Sequence, residues 1–228
     1  MLSITVAGFW PPYYGKILTG TPIAPEFAYW VIDVHSTIFL GWLVLFLIQA
    51  VLVAQGRTDL HRRLGAVGVG YALLTFITGV VGGYLLVLHR LAAGMTLDQA
   101  AAFLFVPLSD IVMFAGFFGM AILYRDQPEI HKRLMVLAML TFAQVGTGRL
   151  LVHVWPSLLV PRWHFNAAWF VPVAGVLMHD LVTRRRIHPV YLVGGVLFLL
   201  RINRIPFMRS EAWLPIGRAL LRPFLDPG

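Results

Sequence analysis

Cysteine is missing from all 228 residues. Its absence excludes disulfide frameworks, thiolate zinc sites, iron–sulfur clusters and covalently attached c-type haem. Charge is scarce as well. Asp, Glu, Lys and Arg make up 12% of the chain, about half the share of an average soluble domain. Acids are the scarcer sign, with 10 Asp and Glu against 18 Lys and Arg, for a formal net charge of +8. There is no His-x3-His or His-x2-His box, no His-Glu-x2-His and no phosphate-cradling glycine loop. What is abundant is apolar: 59% hydrophobic residues and a mean hydropathy of +0.79. A soluble core this apolar would leave too few polar side chains to coat its own surface. Nucleic-acid binding, a common reading of a pI of about 10.4, needs a basic face that cannot coexist with such a core. The composition specifies an all-α, polytopic transmembrane helical bundle whose first partner is the lipid bilayer.

A membrane helix needs about 20 apolar residues to cross a core of roughly 30 Å. Five runs meet that length, at 28–54, 65–88, 101–124, 132–155 and 166–183, and a shorter sixth covers 188–200. The expectation is about six spans, forming a bundle over 28–203 between an interfacial N-terminal segment, 1–27, and an interfacial tail, 204–228. The first segment carries Pro11, Pro12, Pro22 and Pro25 with a single Lys16, and lacks the basic start and cleavage site of a signal peptide. Its Trp10, Tyr13 and Tyr14 suit the headgroup layer.

Base placement orients the bundle. The loops after spans 1, 3 and 5 hold Arg57, Arg62 and Arg63, then Arg125, Lys132 and Arg133, then Arg184, Arg185 and Arg186. Lys16, Arg90 and Arg162 lie on the other side, a split of nine against three. The positive-inside rule makes the nine cytoplasmic and puts the N-terminus outside. Six spans would also place Arg201, Arg204, Arg209, Arg218 and Arg222 outside. Either the sixth run is re-entrant or the tail is an interfacial helix over 211–221 whose arginines snorkel to phosphates.

The chain repeats a motif. Arg57-Thr-Asp-Leu-His61-Arg-Arg-Leu-Gly65 opens span 2, and Asp126-Gln-Pro-Glu-Ile-His131-Lys-Arg-Leu-Met135 opens span 4. Acids at a helix start and bases at an interface need no special explanation. A histidine at the same place twice suggests two related hairpins, spans 1–2 and 3–4. At 100° per residue, Gly65, Gly68, Ala72 and Gly79 fall within about 40° of His61. That stripe reads either as close helix packing through small residues or as a groove for a flat macrocycle with an imidazole at its head.

His35, Gly41-Trp42 and Gln49 precede His61-Arg-Arg-Leu-Gly65 and Gly79, and the chain opens with Trp10-Pro-Pro-Tyr13. This pattern resembles a group of uncharacterised bacterial integral membrane proteins with a His-Arg-x-x-Gly hairpin. More distantly it is similar to hairpins of transmembrane cytochrome b and ferric-reductase-like proteins. The resemblance implies a bacterial inner-membrane, b-type haem protein that transfers electrons to a quinone or a redox partner protein. It implies His61 and His131 as axial ligands of haem b. A second pair is incomplete: His35 fills one position, but the matching place on span 3 is nearest Asp110, which does not ligate haem. His153 is the substitute, since about 1.5 Å per residue places His35 ~28 Å and His153 ~33 Å from the cytoplasmic ends. Asp33 stands where the bacterial group has a histidine, and Asp33 and His35 could instead share a hydrogen bond.

Asp33, His35, Asp110, Arg149 and His153 all fall in the outer third. Ionisable groups inside a span cost roughly 2.5–3.5 kcal/mol, so they face inward and pair. Asp110 and Arg149 are the expected pair, either as a structural ion pair or as part of a substrate or proton site for an anionic or quinone-like molecule. His89, His164 and Asn166 read as interfacial. His179-Asp180 is neutralised by Arg184–Arg186 or contributes a third member to the His61/His131 site. Besides the haem reading, the residues allow a haem-free transport, binding or accessory protein that uses an Asp-Arg-His site. They also allow a membrane enzyme acting on a lipid or isoprenoid.

Overall fold

In the computed structural model, residues 2–22, 30–156 and 162–225 are described, with backbone alone at 2, 162–165 and 167–169. Among them every regular element is helical. The N-terminal segment forms α1 (Leu2–Phe9) and α2 (Gly15–Thr19), joined by a π-helical turn over Trp10–Tyr14. Residues 23–27 of the expected interfacial segment, Pro25 among them, lie outside the described residues.

Four long helices follow: α3 (Trp30–Ala54), α4 (Thr58–Ala92), α5 (Leu97–Leu123) and α6 (Pro128–Val154). Each starts or stops at a legible signal. Gly56, in the α3–α4 turn, takes a φ of +72°, open to glycine without steric cost. Thr96 and Gln99 form a reciprocal capping box at the start of α5, with the Gln99 amide donating to Thr96 Oγ1 over 3.3 Å. Pro128 occupies the first position of α6, where its missing N–H is not needed.

All four helices are long and apolar enough to cross a membrane. The chain is therefore a multi-pass membrane protein with an all-α bundle. Val44, Leu47 and Val51 on α3 and Val67, Leu73 and Ile77 on α4 are exposed, a surface suited to lipid and not to water. In α6, 61% of the apolar window is buried, against 22–33% in the other three, which makes α6 the central helix. Trp42 knits α3 to α5, its ring 5.4 Å from Phe114 and 5.3 Å from Phe118.

Six spans were expected, and among the described residues four helices qualify. The runs expected as spans 5 and 6 form α7 (Arg162–Arg184) and α8 (Pro189–Ile202). Polar residues scattered through α7, including Asn166, His179 and Asp180, dilute its hydropathy. With 14 residues, α8 reaches about 21 Å, short of a roughly 30 Å core. Two short helices end the chain, α9 (Ile205–Met208) and α10 (Leu214–Leu221).

Residues near the C-terminus contact the bundle. Arg201 is 5% exposed and enters the bundle. Arg218 Nε lies 2.5 Å from the Asp98 carboxylate at the start of α5, and Trp213 Nε1 donates to the Ala101 carbonyl over 2.8 Å. These contacts pin α10 to the end of the bundle opposite the basic turns. The helix α1 docks on α6 near the same end, glycine to glycine. A Cβ at Gly146 would lie 2.6 Å from Thr5 Cα, so only glycine permits this approach.

Candidate functional site

At the basic end, His131 follows the turn that joins α5 to α6. The last carbonyls of a helix have no partner within it. His131 Nδ1 lies 2.8 Å from one of them, the Ala121 oxygen, and therefore donates to it. His61 sits beside it, the two ring centroids 6.3 Å apart and the planes at 82°. The buried Nδ1 of His61 and Oε1 of Gln49 make no hydrogen bond.

The stripe of small residues running from His61 is filled. Leu45 lies 3.8 Å from where a Cβ on Gly68 would be, and Gln49 lies 3.7 Å from one on Gly65. Ile111 and Phe39 cover Gly79, and Ala72 is in the core. Side chains of α3 and α5 thus occupy the groove in which a macrocycle was expected. Among the described residues no three His, Asp or Glu side chains converge as metal ligands. These findings overturn the haem electron-transfer reading in favour of a polar network without haem.

That network begins beside the histidines. Arg133 and Asp180 form a buried ion pair of 2.7 Å, their side chains 2% and 3% exposed. Arg133 also bonds the Glu129 carbonyl and carboxylate, at 2.7 and 2.8 Å. Arg184 reaches Glu129 at 2.6 Å, and the backbone amide of His188 donates to Asp180 over 2.9 Å. The cluster clamps α6, α7 and the start of α8 together. Asp180 is neutralised chiefly by Arg133, which the sequence placed at the interface, with Arg184 of the expected cluster adding a second, longer contact at 3.6 Å. His179 is exposed and takes no part in the His61/His131 cluster.

The opposite half of the bundle contains a cavity of about 270 Å³. Its walls are mostly apolar, contributed by α1, the π-helical turn and α3–α6, and its polar groups are few: Thr5, Tyr13, Tyr14, His35, Ser36, Asp110 and Arg149. Asp110 is the middle residue of α5. The expected Asp110–Arg149 pair does not form. Asp110 is held instead by Arg201, whose Nε is 2.8 Å away, and by Arg204 Nη1. Arg201 also donates to Gln144 Oε1 and, over 3.1 Å, to the Thr141 carbonyl. Arg204 donates to Ser109 Oγ over 2.8 Å. Arg149 stacks on Phe9, its guanidinium carbon 4.6 Å from the ring centroid.

Asp33 and His35 do not share a hydrogen bond. The Tyr13 hydroxyl donates to Asp33, tying the π-helical turn to α3. Burial, then this bond, push the Tyr13 phenol up to about 12, so it stays a donor at neutral pH. His35 Nδ1 lies 3.1 Å from the Thr78 carbonyl. His153 is exposed at the end of α6, on a separate shallow groove with Ser3, Trp10 and Pro11. His35 and His153 therefore form no second ligand pair. His89 and Asn166 are half-buried, and the side chain of His164 lies outside the described residues.

Sequence reasoning missed Arg133, Gln144, Arg201 and Arg204 as site residues. One signal was present: an arginine, Arg201, closes an apolar run too short to span, so its charge must end within the bundle.

No family model, curated protein or solved structure matches the chain.

Proposed function

We propose that the chain is a haem-free membrane binding or transport protein that takes a lipid-soluble ligand into the cavity between the N-terminal segment and α3–α6. The observation that carries this reading is the cavity itself: an apolar enclosure in the membrane-spanning helices, with a handful of polar groups converging on it. That combination typifies small-molecule sites. The interrupted path of α8 adds support. The helix stops in mid-bundle, and the chain turns at Asn203 and Arg204 beside Asp110. Non-helical backbone at membrane depth is tolerated where protein buries it or where it lines a cavity, and broken helices mark transporter sites. The nine-to-three distribution of bases favours an inner-membrane orientation with the basic turns cytoplasmic and the cavity toward the outside.

A photoreactive benzophenone amino acid at Ser36, irradiated in native membranes, tests the reading. A small-molecule adduct on the chain is the expected outcome. Only intramolecular crosslinks, at full expression, would contradict it.

A further inference from the structure

The cavity carries more chemical information than its location. Six aromatic rings stand around it: Phe9, Tyr13 and Tyr14 from the N-terminal segment, and Phe39, Phe103 and Phe142 from α3, α5 and α6. Aromatic walls offer edges and faces on which a flat ring can pack. His35 is the fixed polar group on the α3 wall. A carbonyl oxygen only accepts, so the contact with Thr78 places the proton on Nδ1 and leaves Nε2 of the neutral ring as an acceptor. The ring is held by Phe39, 4.0 Å between centroids, and by Gly82, whose Cβ would approach Nδ1 to 3.4 Å. A ligand meeting Nε2 must offer a donor, such as a hydroxyl.

Charge narrows the class further. Asp110, the one carboxylate among the lining residues, is already compensated by Arg201 and Arg204. It therefore offers little to a cationic ligand. Arg149, on the α6 wall, is already engaged, its guanidinium stacked on Phe9. The site thus combines an acceptor and aromatic faces within an apolar shell.

From this arrangement we infer that the ligand is a neutral quinol headgroup, its hydroxyl donating to His35 Nε2 and its ring lying between the aromatic walls. The inference rests on the proposed binding function and names the class of molecule it serves. It concerns binding alone.

The test uses the full chain in lipid nanodiscs, titrated by calorimetry with four probes: a decyl-substituted 1,4-benzoquinone, its quinol, the dimethyl ether of that quinol, and palmitate. The expected result is saturable binding of the quinol at one per chain, with the quinone and the dimethyl ether each about tenfold weaker for want of a hydroxyl donor. His35→Ala should weaken the quinol about tenfold, roughly the value of one hydrogen bond. His35→Gln, which keeps an acceptor, should stay within about threefold of the wild type. Val145→Trp, which fills the cavity, should abolish binding. Because the ether comparison uses the unaltered protein, a variant that fails to fold leaves the test intact. Equal affinity for quinol and its ether would overturn the inference, as would binding unaffected by Val145→Trp. Palmitate binding without quinol binding would overturn the quinol assignment and leave the binding function standing. If none of the four probes binds, both fall.

Discussion

Arg201, in the last turn of a helix too short to cross a bilayer, places its Nε 2.8 Å from the Asp110 carboxylate at the midpoint of α5. The contact joins residues 91 positions apart and fixes where α8 stops. It also explains how a basic chain segment can enter an apolar bundle: Asp110 compensates charge there, while Gln144 and the Thr141 carbonyl each accept a bond from the guanidinium.

Asp110→Ala should therefore be among the most damaging single changes. It removes the carboxylate and leaves Arg201 and Arg204 buried without their counter-ion. Breaking a buried pair from one side typically costs about 3–5 kcal/mol. Thermal unfolding in detergent should show a large loss. A shift as small as that of an exposed charge, such as Asp59→Ala, would disprove the role given to Asp110.

Two of the ion pairs at the basic end should separate by burial. Arg133 and Asp180 are almost fully enclosed, whereas Lys132 and Glu129, 2.5 Å apart, are each about half exposed. A double-mutant cycle on Lys132 and Glu129 should give little coupling, because solvent screens the exposed pair. The cycle on Arg133 and Asp180 should give clearly more, and Asp180→Ala alone should cost about 3–5 kcal/mol. Similar couplings in the two cycles would refute the clamp.

The start of α8 should respond to pH. The His188 side chain accepts from the Val190 amide over 3.3 Å, capping the helix through Nδ1. Protonation removes that acceptor. Burial, then Arg133, hold the His188 pKa below its ordinary 6.5. Between the two values the unfolded chain binds the proton first, so folded-state stability rises with pH in that window. The cap's contribution is complete above about 6.5 and is lost as pH falls through the lower folded value. Hydrogen exchange at residues 189–192 should accelerate from pH 7.5 to pH 5 beyond the intrinsic pH effect. His188→Asn, which caps without titrating, should show no excess acceleration. Identical behaviour of the two proteins would contradict the assignment.

Docking of α1 should depend on glycine. Gly146→Leu places a side chain where Thr5 Cα now sits, so α1 must lift from α6. Trypsin cleavage at Lys16 should speed up severalfold, while the four long helices keep their circular dichroism. Unchanged cleavage would show that the close approach is dispensable.

Much of the architecture was legible in the sequence, because long apolar runs and capping signals are local. The four spanning helices fall near the expected 28–54, 65–88, 101–124 and 132–155. Juxtaposition across the bundle was less accessible. His61 and His131 meet because each opens a helix at the same end, which the repeated motif displays. Arg201 meets Asp110 through packing between α5, α6 and α8, and no spacing rule encodes that approach. Pairing Asp110 with Arg149 treated neighbouring helices as the only source of counter-ions, and so overlooked arginines arriving from the tail. The expected haem groove failed for a related reason. A stripe of small residues on α4 does not reveal whether a cofactor or the side chains of α3 and α5 will fill it.

The central claim, that the cavity of the four-helix bundle holds a lipid-soluble molecule, is tested most directly by native mass spectrometry of the intact chain released from its own membrane. The account predicts a discrete added mass of a few hundred daltons or more on the wild-type protein. It predicts loss of that mass in Val145→Trp and retention in an exposed-face control such as Val67→Ala. A bare chain, or an added mass that Val145→Trp leaves untouched, would contradict it.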